Sequence, residues 1–420
     1  MSPDMNLDME ELNKRRVERH LRRQQMNAKK KRKKTIALIV SCLLLVALGA
    51  GVFFLLRMEE KEETQREHVT QSNDVAAEDA TVIHLVAAGD VNVSDAVVAS
   101  GGADYDYTDT FLDVAHLLAE GDITVVNLEG NLCGSPYGST SHSAPQSLAD
   151  ALGRSGVDLV QLANSYSINQ GISGLQATIQ SVKDAGMEPL GVYADERAYK
   201  AGKGYTIRDV EGVKIAFVAF TKGMDGMTLP QGSEHCVNVL YADYDSTYQN
   251  IDSKTINGVL DAVEAEKPDL TVAMLHWGSE YNDTISKTQK SIVSLLQDRG
   301  VDAIIGTHPH YVQQMEYDPD TGSFVAYSLG DLISDGNLSG TEYSVILNLE
   351  ITKSAGSTKI TGYTYTPIFT VAERGKTLRS VRIAETMEAY DRNYLKRVSD
   401  GTYNAMIYAL QRIEARIKGE

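Results

Sequence analysis

The sequence has few cysteines and prolines, and each shortage excludes a class of protein. It holds three Cys and nine Pro among 420 residues, so the chain is neither a disulfide-stapled scaffold nor a collagen-like or proline-rich disordered protein. Outside the first 56 residues only Cys133 and Cys236 remain, which form either one disulfide or two unpaired thiols. Hydrophobic residues make up 42% of the chain and charged residues 23%, as in an ordinary folded protein.

Positive charge is concentrated at the N-terminus. Residues 1–34 contain 12 Lys and Arg against 5 Asp and Glu, a net charge of +7, which leaves -24 for residues 35–420 within the total of -17. Proteins that bind nucleic acid are usually basic in their folded part, so the composition argues against nucleic acid as a partner.

An uncharged run of 22 residues at 35–56 predicts one membrane span. As a helix rising about 1.5 Å per residue it covers roughly 33 Å, enough for a bilayer core. The basic run at 29–34 precedes it and acidic residues follow, so the positive-inside rule predicts a cytoplasmic N-terminus and a main domain outside the cell membrane. An alternative takes Cys42 as a lipidation site, because the sequence IVSC before the end of the run loosely resembles a lipoprotein cleavage box. Both alternatives place the main domain outside the membrane.

Beyond the span, short β-rich apolar runs alternate with longer helical patterns, such as TVIHLVAAG followed by FLDVAHLLAEG and ITVVNLE. This alternation predicts an α/β fold whose sheet contains parallel strands, with helices near 255–266 and 285–299. Further β structure is expected from 359 to 383. Residues 386 to 418 are expected to form a helical packing element, interrupted at Asp400 and Gly401, whose basic terminal face is solvated. The predicted segments are a basic cytoplasmic tail (1–34), a transmembrane anchor (35–56), an acidic linker (57–80), the α/β domain (81–385) and a C-terminal helical segment (386–420).

Polar side chains stand at the ends of six predicted strands. They are Asp90, Glu129, Asn164 with Ser165, His276, His308 with His310, and Asp331. Because ligands bind at the carboxyl ends of the strands in α/β sheets, we expect these side chains to meet at one edge.

The side chains gathered at this edge are of metal-ligand type. Carboxylates and imidazoles without a thiolate cluster suit Mn, Zn or Fe rather than an iron–sulfur cluster or a structural zinc ion. In the sequence HPH, the proline favours an extended His308, so that His308 and His310 face the same side. Any one histidine alone is more often a hydrogen-bonded loop residue, but their joint placement predicts a divalent-metal site that activates water for attack on a phosphoryl or acyl group.

The motifs AAGDVNVSD, VVNLEG, LANSYSINQG, LHWGSEY, GTHPHYVQ and YSLGDL occur in this order between Ile83 and Leu332. Together they resemble the CapA proteins of bacterial capsule and poly-γ-glutamate synthesis. The resemblance implies a layered α/β sandwich of the calcineurin-type metallophosphatase kind. It also implies metal-site positions at Asp90, Glu129, His276, His308 and His310, and it makes Trp277, Glu280, Tyr281 and Gln313 candidates for substrate binding.

The sequence departs from the family pattern at two places. The family usually reads Asn-Asn-His followed by Asp, where this chain has Asn164, Ser165, Tyr166 and then Asn169. The resemblance makes Asn164 and Tyr166 the catalytic candidates, although tyrosine, with a pKa near 10, is a poor proton shuttle at neutral pH. Asp331 replaces an Asn; we group it with substrate binding, and its carboxylate either compensates for a lost ligand or lies outside the metal site.

Two functions remain open from the sequence. The first is a membrane-anchored, extracytoplasmic, metal-dependent hydrolase or transferase acting on a capsule or wall polymer. The second is a non-catalytic scaffold or binding subunit of a polymer synthesis or export assembly. Expected partners are the membrane, capsule or poly-γ-glutamate synthase subunits and an anionic polymer. The charge of -24 would repel such a polymer, but bound divalent cations would reverse the sign of the charge locally.

Overall fold

The part of the chain that the structure describes, residues 80–372, 377–391 and 398–420 of a computed structural model, alternates strands and helices. The strands are β1 (Thr81–Asn92), β2 (Ile123–Glu129), β3 (Leu159–Gln161), β4 (Glu188–Leu190), β5 (Tyr205–Val210), β6 (Val213–Thr221), β7 (Leu270–His276), β8 (Ala303–Thr307), β9 (Met315–Asp318), β10 (Ser323–Ala326), β11 (Asp331–Ile333), β12 (Tyr343–Ser354), β13 (Ser357–Ala372) and β14 (Leu378–Arg382). The helices are α1 (Asp95–Ser100), α2 (Thr108–Phe111), α3 (Ala115–Ala119), α4 (Gln146–Arg154), α5 (Gly171–Asp184), α6 (Glu196–Gly202), α7 (Ser253–Glu266), α8 (Lys287–Gln297), α9 (Ile383–Asp391) and α10 (Asp400–Lys418).

Two mixed sheets form the centre of the fold. One has the order β14-β13-β12-β1-β2-β3-β4, with β11 added to β1, and the other has the order β5-β6-β7-β8-β10-β9. Strands β1 to β4 run parallel, as do β6, β7, β8 and β10, whereas β12 to β14 are antiparallel. The α/β fold with parallel strands is therefore confirmed.

Alternation along β1 shows how the layers form. Ile83, Leu85 and Ala87 belong to the core between the two sheets, whereas Val86 and Ala88 belong to the core beneath the helices. Successive side chains of a strand point to opposite faces, so a continuous apolar run is buried on both sides.

The second sheet follows the same rule. On β6, Ile215 and Phe217 join the core between the sheets, and Val218 and Phe220 pack with α7 and α8. The order of layers is helix, sheet, sheet, helix, which is the sandwich that the family resemblance implies.

Several predicted elements shift in the structure. The expected helices at 255–266 and 285–299 are observed as α7 and α8. The interruption predicted at Asp400 and Gly401 lies directly before them: residues 398 and 399 are not helical, and Asp400 begins α10. The Ser399 side chain accepts a hydrogen bond from the Thr402 amide and caps the helix there. Both described cysteines, Cys133 and Cys236, are free thiols.

The predicted cytoplasmic tail, transmembrane anchor and nearly all of the acidic linker lie outside the described residues. Among the helices that are described, none combines the length and the apolar character needed to cross a membrane.

Arg416, near the end of α10, is buried in contrast to the predicted solvated face, whereas Lys418 at the same end is exposed. Arg416 is 8% exposed, and its guanidinium carbon lies 4.5 Å from the centre of the Tyr311 ring and 5.6 Å from that of Tyr343. Its Nη2 atom is 3.4 Å from a carboxylate oxygen of Asp283. The helix thus contacts two loops, those that follow β7 and β8.

We expect Arg416→Ala to lower the free energy of unfolding by about 1–3 kcal/mol, because it removes two cation–π contacts and a partly desolvated ion pair. Urea denaturation measures this loss. The control is Lys418→Ala in the same helix, which removes an exposed ion pair with Glu414 and should change stability by less than about 0.5 kcal/mol. Equal stability of the two variants would show that the contacts of Arg416 do not stabilise the fold.

Candidate metal centre

Two backbone segments, at Gly89 and at Gly330, lie in close contact at the site. Gly89 and Gly330 each precede an aspartate, and a Cβ atom on Gly89 would collide with the carbonyl oxygen of Gly330. The Asp90 amide donates to that carbonyl at 3.0 Å, and Asp90 pairs in register with Asp331 where β11 runs parallel to β1. Only glycine permits this approach, which places the two carboxylates side by side.

The first group of possible ligands contains Glu129, His276 and His308. The Nε2 atom of His276 lies 3.2 Å from Oε1 of Glu129 and 3.0 Å from Nδ1 of His308. The Ser165 hydroxyl reaches the same place, 2.9 Å from that Nε2 atom and 3.4 Å from Nδ1 of His308. Three strand ends, those of β2, β7 and β8, thus supply one cluster.

The second group contains Asp90, His310 and Asp331. Nδ1 of His310 lies 2.8 Å from Oδ1 of Asp331 and 3.6 Å from Oδ2 of Asp90. Nε2 of His310 is 3.7 Å from Oε2 of Glu129, so the two groups adjoin each other.

Burial sets the protonation of these groups in the metal-free protein. Burial, reinforced by the charge of Glu129, raises the pKa of Asp90 to about 7, and burial lowers the pKa of His276 to about 3. The pKa of His310 behaves differently: burial opposes its charge, but the carboxylates of Asp331 and Glu129 outweigh burial and hold its pKa well above the ordinary value. At neutral pH the cluster therefore contains a protonated His310, a neutral His276 and a partly protonated Asp90.

The donor set fits divalent cations. Both side-chain oxygens of Glu129 and Oδ2 of Asp331 are buried without a well-formed hydrogen bond to the described residues, which is costly unless something else contacts them. In each of the two groups the ligand atoms lie within 4.8 Å of one another, and mixed nitrogen and oxygen donors suit Mn, Zn or Fe.

Neighbouring polar groups hold the ligands in place, and the sequence did not identify them. Nδ2 of Asn127 donates to Oδ1 of Asp90 at 2.5 Å, and the His308 amide donates to Oδ2 of the same carboxylate at 3.0 Å. Oγ1 of Thr307 lies 3.1 Å from Nδ1 of His276, which leaves Nε2 of His276 facing the cluster. Such outer contacts fix the orientation of metal ligands.

The backbone at the HPH sequence differs from the expected extended form. His308 has φ 93° and His310 has φ 58°, a region that residues other than glycine rarely adopt and that costs about 1–3 kcal/mol. Both imidazoles still reach the cluster, but each joins a different group of ligands. Strain of this kind is typical of functional sites.

The two catalytic candidates have different surroundings. Asn164 is buried, donating from Nδ2 to the Leu128 carbonyl at 2.7 Å and accepting from the Tyr166 amide at 3.0 Å; it therefore shapes the loop and is not exposed to a substrate. The Tyr166 ring stacks on His142, with centroids 3.5 Å apart and planes inclined by 10°. Burial raises the pKa of Tyr166 above that of free tyrosine, so its phenol stays protonated at neutral pH.

Three of the residues predicted to bind substrate take other positions. Trp277 is fully buried and donates from its indole to the Tyr327 carbonyl at 2.9 Å. Gln313 is also buried and holds the loop after β7 by donating to the Asn282 carbonyl at 2.8 Å. Asp331 belongs to the second ligand group. Trp277 and Gln313 therefore have almost no surface that faces solvent, and their role in substrate binding stays a prediction.

The other two candidates do lie at the surface. Tyr281 is 44% exposed and stacks on His310, with ring centroids 5.3 Å apart, and Glu280 lies at the edge of a small cavity beside the cluster. Lys222, directly after β6, also lines that cavity, and the sequence pattern gave no signal for it because it is one lysine among many. Its Nζ atom lies 3.3 Å from Nε2 of His308, and burial lowers its pKa while Glu280 opposes the shift.

Comparison with known families agrees with this geometry. The family model described as bacterial capsule synthesis protein PGA_cap matches residues 84–336, a range that contains both ligand groups.

Two known relatives carry related names. The capsule biosynthesis protein CapA of Bacillus anthracis is 27% identical over 209 residues, which cover 50% of this chain and 48% of that protein. The PGA biosynthesis protein CapA of Bacillus subtilis (strain 168) is 27% identical over 202 residues, which cover 46% of each. The chain thus spans about half the length of these relatives.

Among solved structures, the calcineurin-like phosphoesterase YfkN from Bacillus subtilis superimposes with a TM-score of 0.44 at 16% identity, over 79% of this chain and 100% of that one. The 5'-nucleotidase from Candida albicans SC5314 gives a TM-score of 0.39 at 13% identity, over 79% of this chain and 57% of that one.

Proposed function

We propose, from the premise that this chain belongs to the bacterial capsule synthesis protein PGA_cap family, that it is a membrane-anchored protein of capsule or poly-γ-glutamate synthesis with a divalent-metal site of hydrolase type. Its main domain, 81–385 with the helical segment 386–420, lies outside the cell membrane, held there by the anchor at 35–56. Synthase subunits and an anionic polymer are its partners.

The observation that carries this proposal is the pair of buried ligand groups that share one edge of the sandwich. Carboxylates are costly to bury without compensation, and both oxygens of Glu129 and Oδ2 of Asp331 lack a well-formed hydrogen bond within the described residues. A bound cation would compensate for their burial. Glu129, His276 and His308 would hold one ion, and Asp90, His310 and Asp331 a second.

A divalent ion at such a site supplies Lewis-acid polarisation of a substrate oxygen and lowers the pKa of water. The chain's own residues position and shield the reaction. Thr307 and Asn127 orient ligands, and the exposed ring of Tyr281 offers a face against which a substrate chain can stack.

One observation favours the alternative, a non-catalytic scaffold or binding subunit. At the position where the family pattern has histidine, Tyr166 is stacked on His142 and has a raised pKa. A phenol in this state does not transfer protons readily at neutral pH. Under this alternative the metal site serves for binding.

The proposal predicts that the affinity for Mn²⁺ rises with pH. Binding must displace the proton of Asp90, whose pKa is about 7, and that of His310, whose pKa is well above its ordinary value, whereas His276 is already neutral. The Asp90 proton alone gives about a tenfold increase between pH 6 and pH 8, and His310 adds to it.

Calorimetric titration of the full-length chain with Mn²⁺ at pH 6, 7 and 8 and constant ionic strength measures this dependence. A dissociation constant that falls at least about tenfold over this range supports the metal site. A constant that does not vary with pH, or an absence of binding at all three values, contradicts it.

A further inference from the structure

A cavity of about 200 Å³ opens beside the first ligand group. Its wall includes Ser165, Lys222, Asp225, Tyr248, Glu280 and His308. At about 30 Å³ for each liquid water, this space equals roughly six or seven waters, which is room for one amino-acid-sized group. Since Ser165 and His308 belong to both the cavity and the cluster, a molecule in the cavity lies directly beside the possible metal ligands.

The inner end of the cavity carries the ammonium of Lys222. It donates to the Gly278 carbonyl at 2.9 Å, lies 3.3 Å from Nε2 of His308 and sits 4.9 Å from the centre of the Tyr248 ring. Across the described ranges, no carboxylate forms an ion pair with it. The Gly278 carbonyl and Nε2 of His308 occupy two of the three N–H donors of this half-buried ammonium, which leaves one donor for an anionic ligand.

The mouth of the cavity carries the opposite charge. Asp225 and Glu280 are both exposed there. After burial, the negative charges of Glu129, Glu280 and Asp225 raise the pKa of the nearby Tyr166 phenol. One positive charge inside and two negative charges at the mouth disfavour a simple anion, which would have to pass the carboxylates. They favour a group that carries an ammonium and a carboxylate close together.

We infer that this cavity binds the amino end of a γ-linked amino-acid polymer, with the α-carboxylate of the terminal residue on Lys222 and its α-ammonium facing Asp225 and Glu280. The inference rests on the proposed function, which supplies the polymer. In a γ-linked chain the terminal residue alone carries both charges on one carbon, because interior units have an amide nitrogen instead of the ammonium. The cavity therefore recognises a chain end, and the first ligand group adjoins it through Ser165 and His308.

The test uses the full-length chain and three probes. They are γ-glutamylglycine, its N-acetyl derivative, which lacks the ammonium, and its α-carboxamide, which lacks the carboxylate. Calorimetry at low ionic strength compares wild type with Lys222→Gln and with Asp225→Asn/Glu280→Gln, first with Mn²⁺ and then with chelator. Lys214→Gln is the matched control, because Lys214 lies at the opposite end of β6 with its side chain 35% exposed.

We expect Lys222→Gln to weaken binding of γ-glutamylglycine by about tenfold or more, as for the loss of a charge-assisted hydrogen bond, and to leave binding of the α-carboxamide unchanged. The double variant should weaken binding of γ-glutamylglycine, which loses the partners of its ammonium, but should not weaken binding of the N-acetyl derivative, which two repelling carboxylates no longer oppose. Lys214→Gln should behave as wild type. A variant that is merely misfolded would weaken all probes alike, so this selectivity separates binding from structure.

Two results would overturn the inference. One is no binding of γ-glutamylglycine to wild type at millimolar concentration in either condition. The other is an equal effect of Lys222→Gln on all three probes. Selective binding of γ-glutamylglycine in the presence of chelator supports the cavity even if the chain binds no Mn²⁺. The experiment therefore distinguishes failure of the metal site from failure of the cavity.

Discussion

The His308→Ala/His310→Ala variant is expected to bind Mn²⁺ more than about 100-fold more weakly than the wild-type chain. The two imidazoles contribute to different ligand groups, so the substitutions damage both at once. Removing even an outer contact of a metal site costs about 10-fold to 100-fold in affinity, and loss of a ligand costs more.

Calorimetric titration of both proteins with Mn²⁺ at pH 8 measures the effect, and circular dichroism establishes that the variant is folded. The matched control is His116→Ala/His235→Ala, which also removes two imidazoles but outside both ligand groups. Equal affinities of wild type and the His308→Ala/His310→Ala variant would show that these residues are not ligands.

Restoring the family motif is expected to produce the second large effect. Ser165→Asn together with Tyr166→His should raise the rate of p-nitrophenyl phosphate hydrolysis by about 100-fold, the lower range of general acid–base catalysis. Ser165 already lies 2.9 Å from His276, so a longer amide side chain there reaches the first ligand group. The imidazole at 166 would supply a group that titrates near neutral pH, which the phenol does not.

Steady-state kinetics with saturating Mn²⁺ measures the rate. Ser165→Asn with Tyr166→Phe is the matched control, because it restores the amide without the imidazole and should gain little. A restored variant that binds metal but hydrolyses no faster than this control would favour the scaffold alternative over the hydrolase.

The sequence could predict that the site residues meet, because residues at the ends of parallel strands lie at the same edge of a sheet. Asp90, Glu129 and His276 each end an apolar run, and parallel strands bring their carboxyl ends to one edge whatever the loops do. The fold class followed from the same alternation of strands and helices. Both predictions rest on local sequence patterns and do not require knowing which strands are neighbours.

The division into two ligand groups could not be predicted, because it depends on pairing between distant segments. Strand β11 has three residues, and only its parallel pairing with β1 places Asp331 beside Asp90. Without that pairing the sequence left Asp331 among the substrate-binding candidates. The burial of Trp277 could not be predicted for a related reason: its neighbour His276 belongs to the site, but the indole donates to the Tyr327 carbonyl within the core.

Residues from loops and from the C-terminus were missed because single residues leave no pattern. Lys222 and His142 reach the site from loops, and Arg416 contacts Tyr311 and Asp283 across more than one hundred residues of sequence. Nothing in spacing or composition distinguishes them from solvated residues of the same type.

The most direct measurement is the metal content of the full-length wild-type chain, purified without chelator, by elemental mass spectrometry. We expect one to two equivalents of Mn, Zn or Fe per chain, in keeping with two adjoining ligand groups. Less than a tenth of an equivalent, even after the protein is incubated with Mn²⁺ at pH 8 and passed through a desalting column, would contradict the metal site on which the proposed function depends.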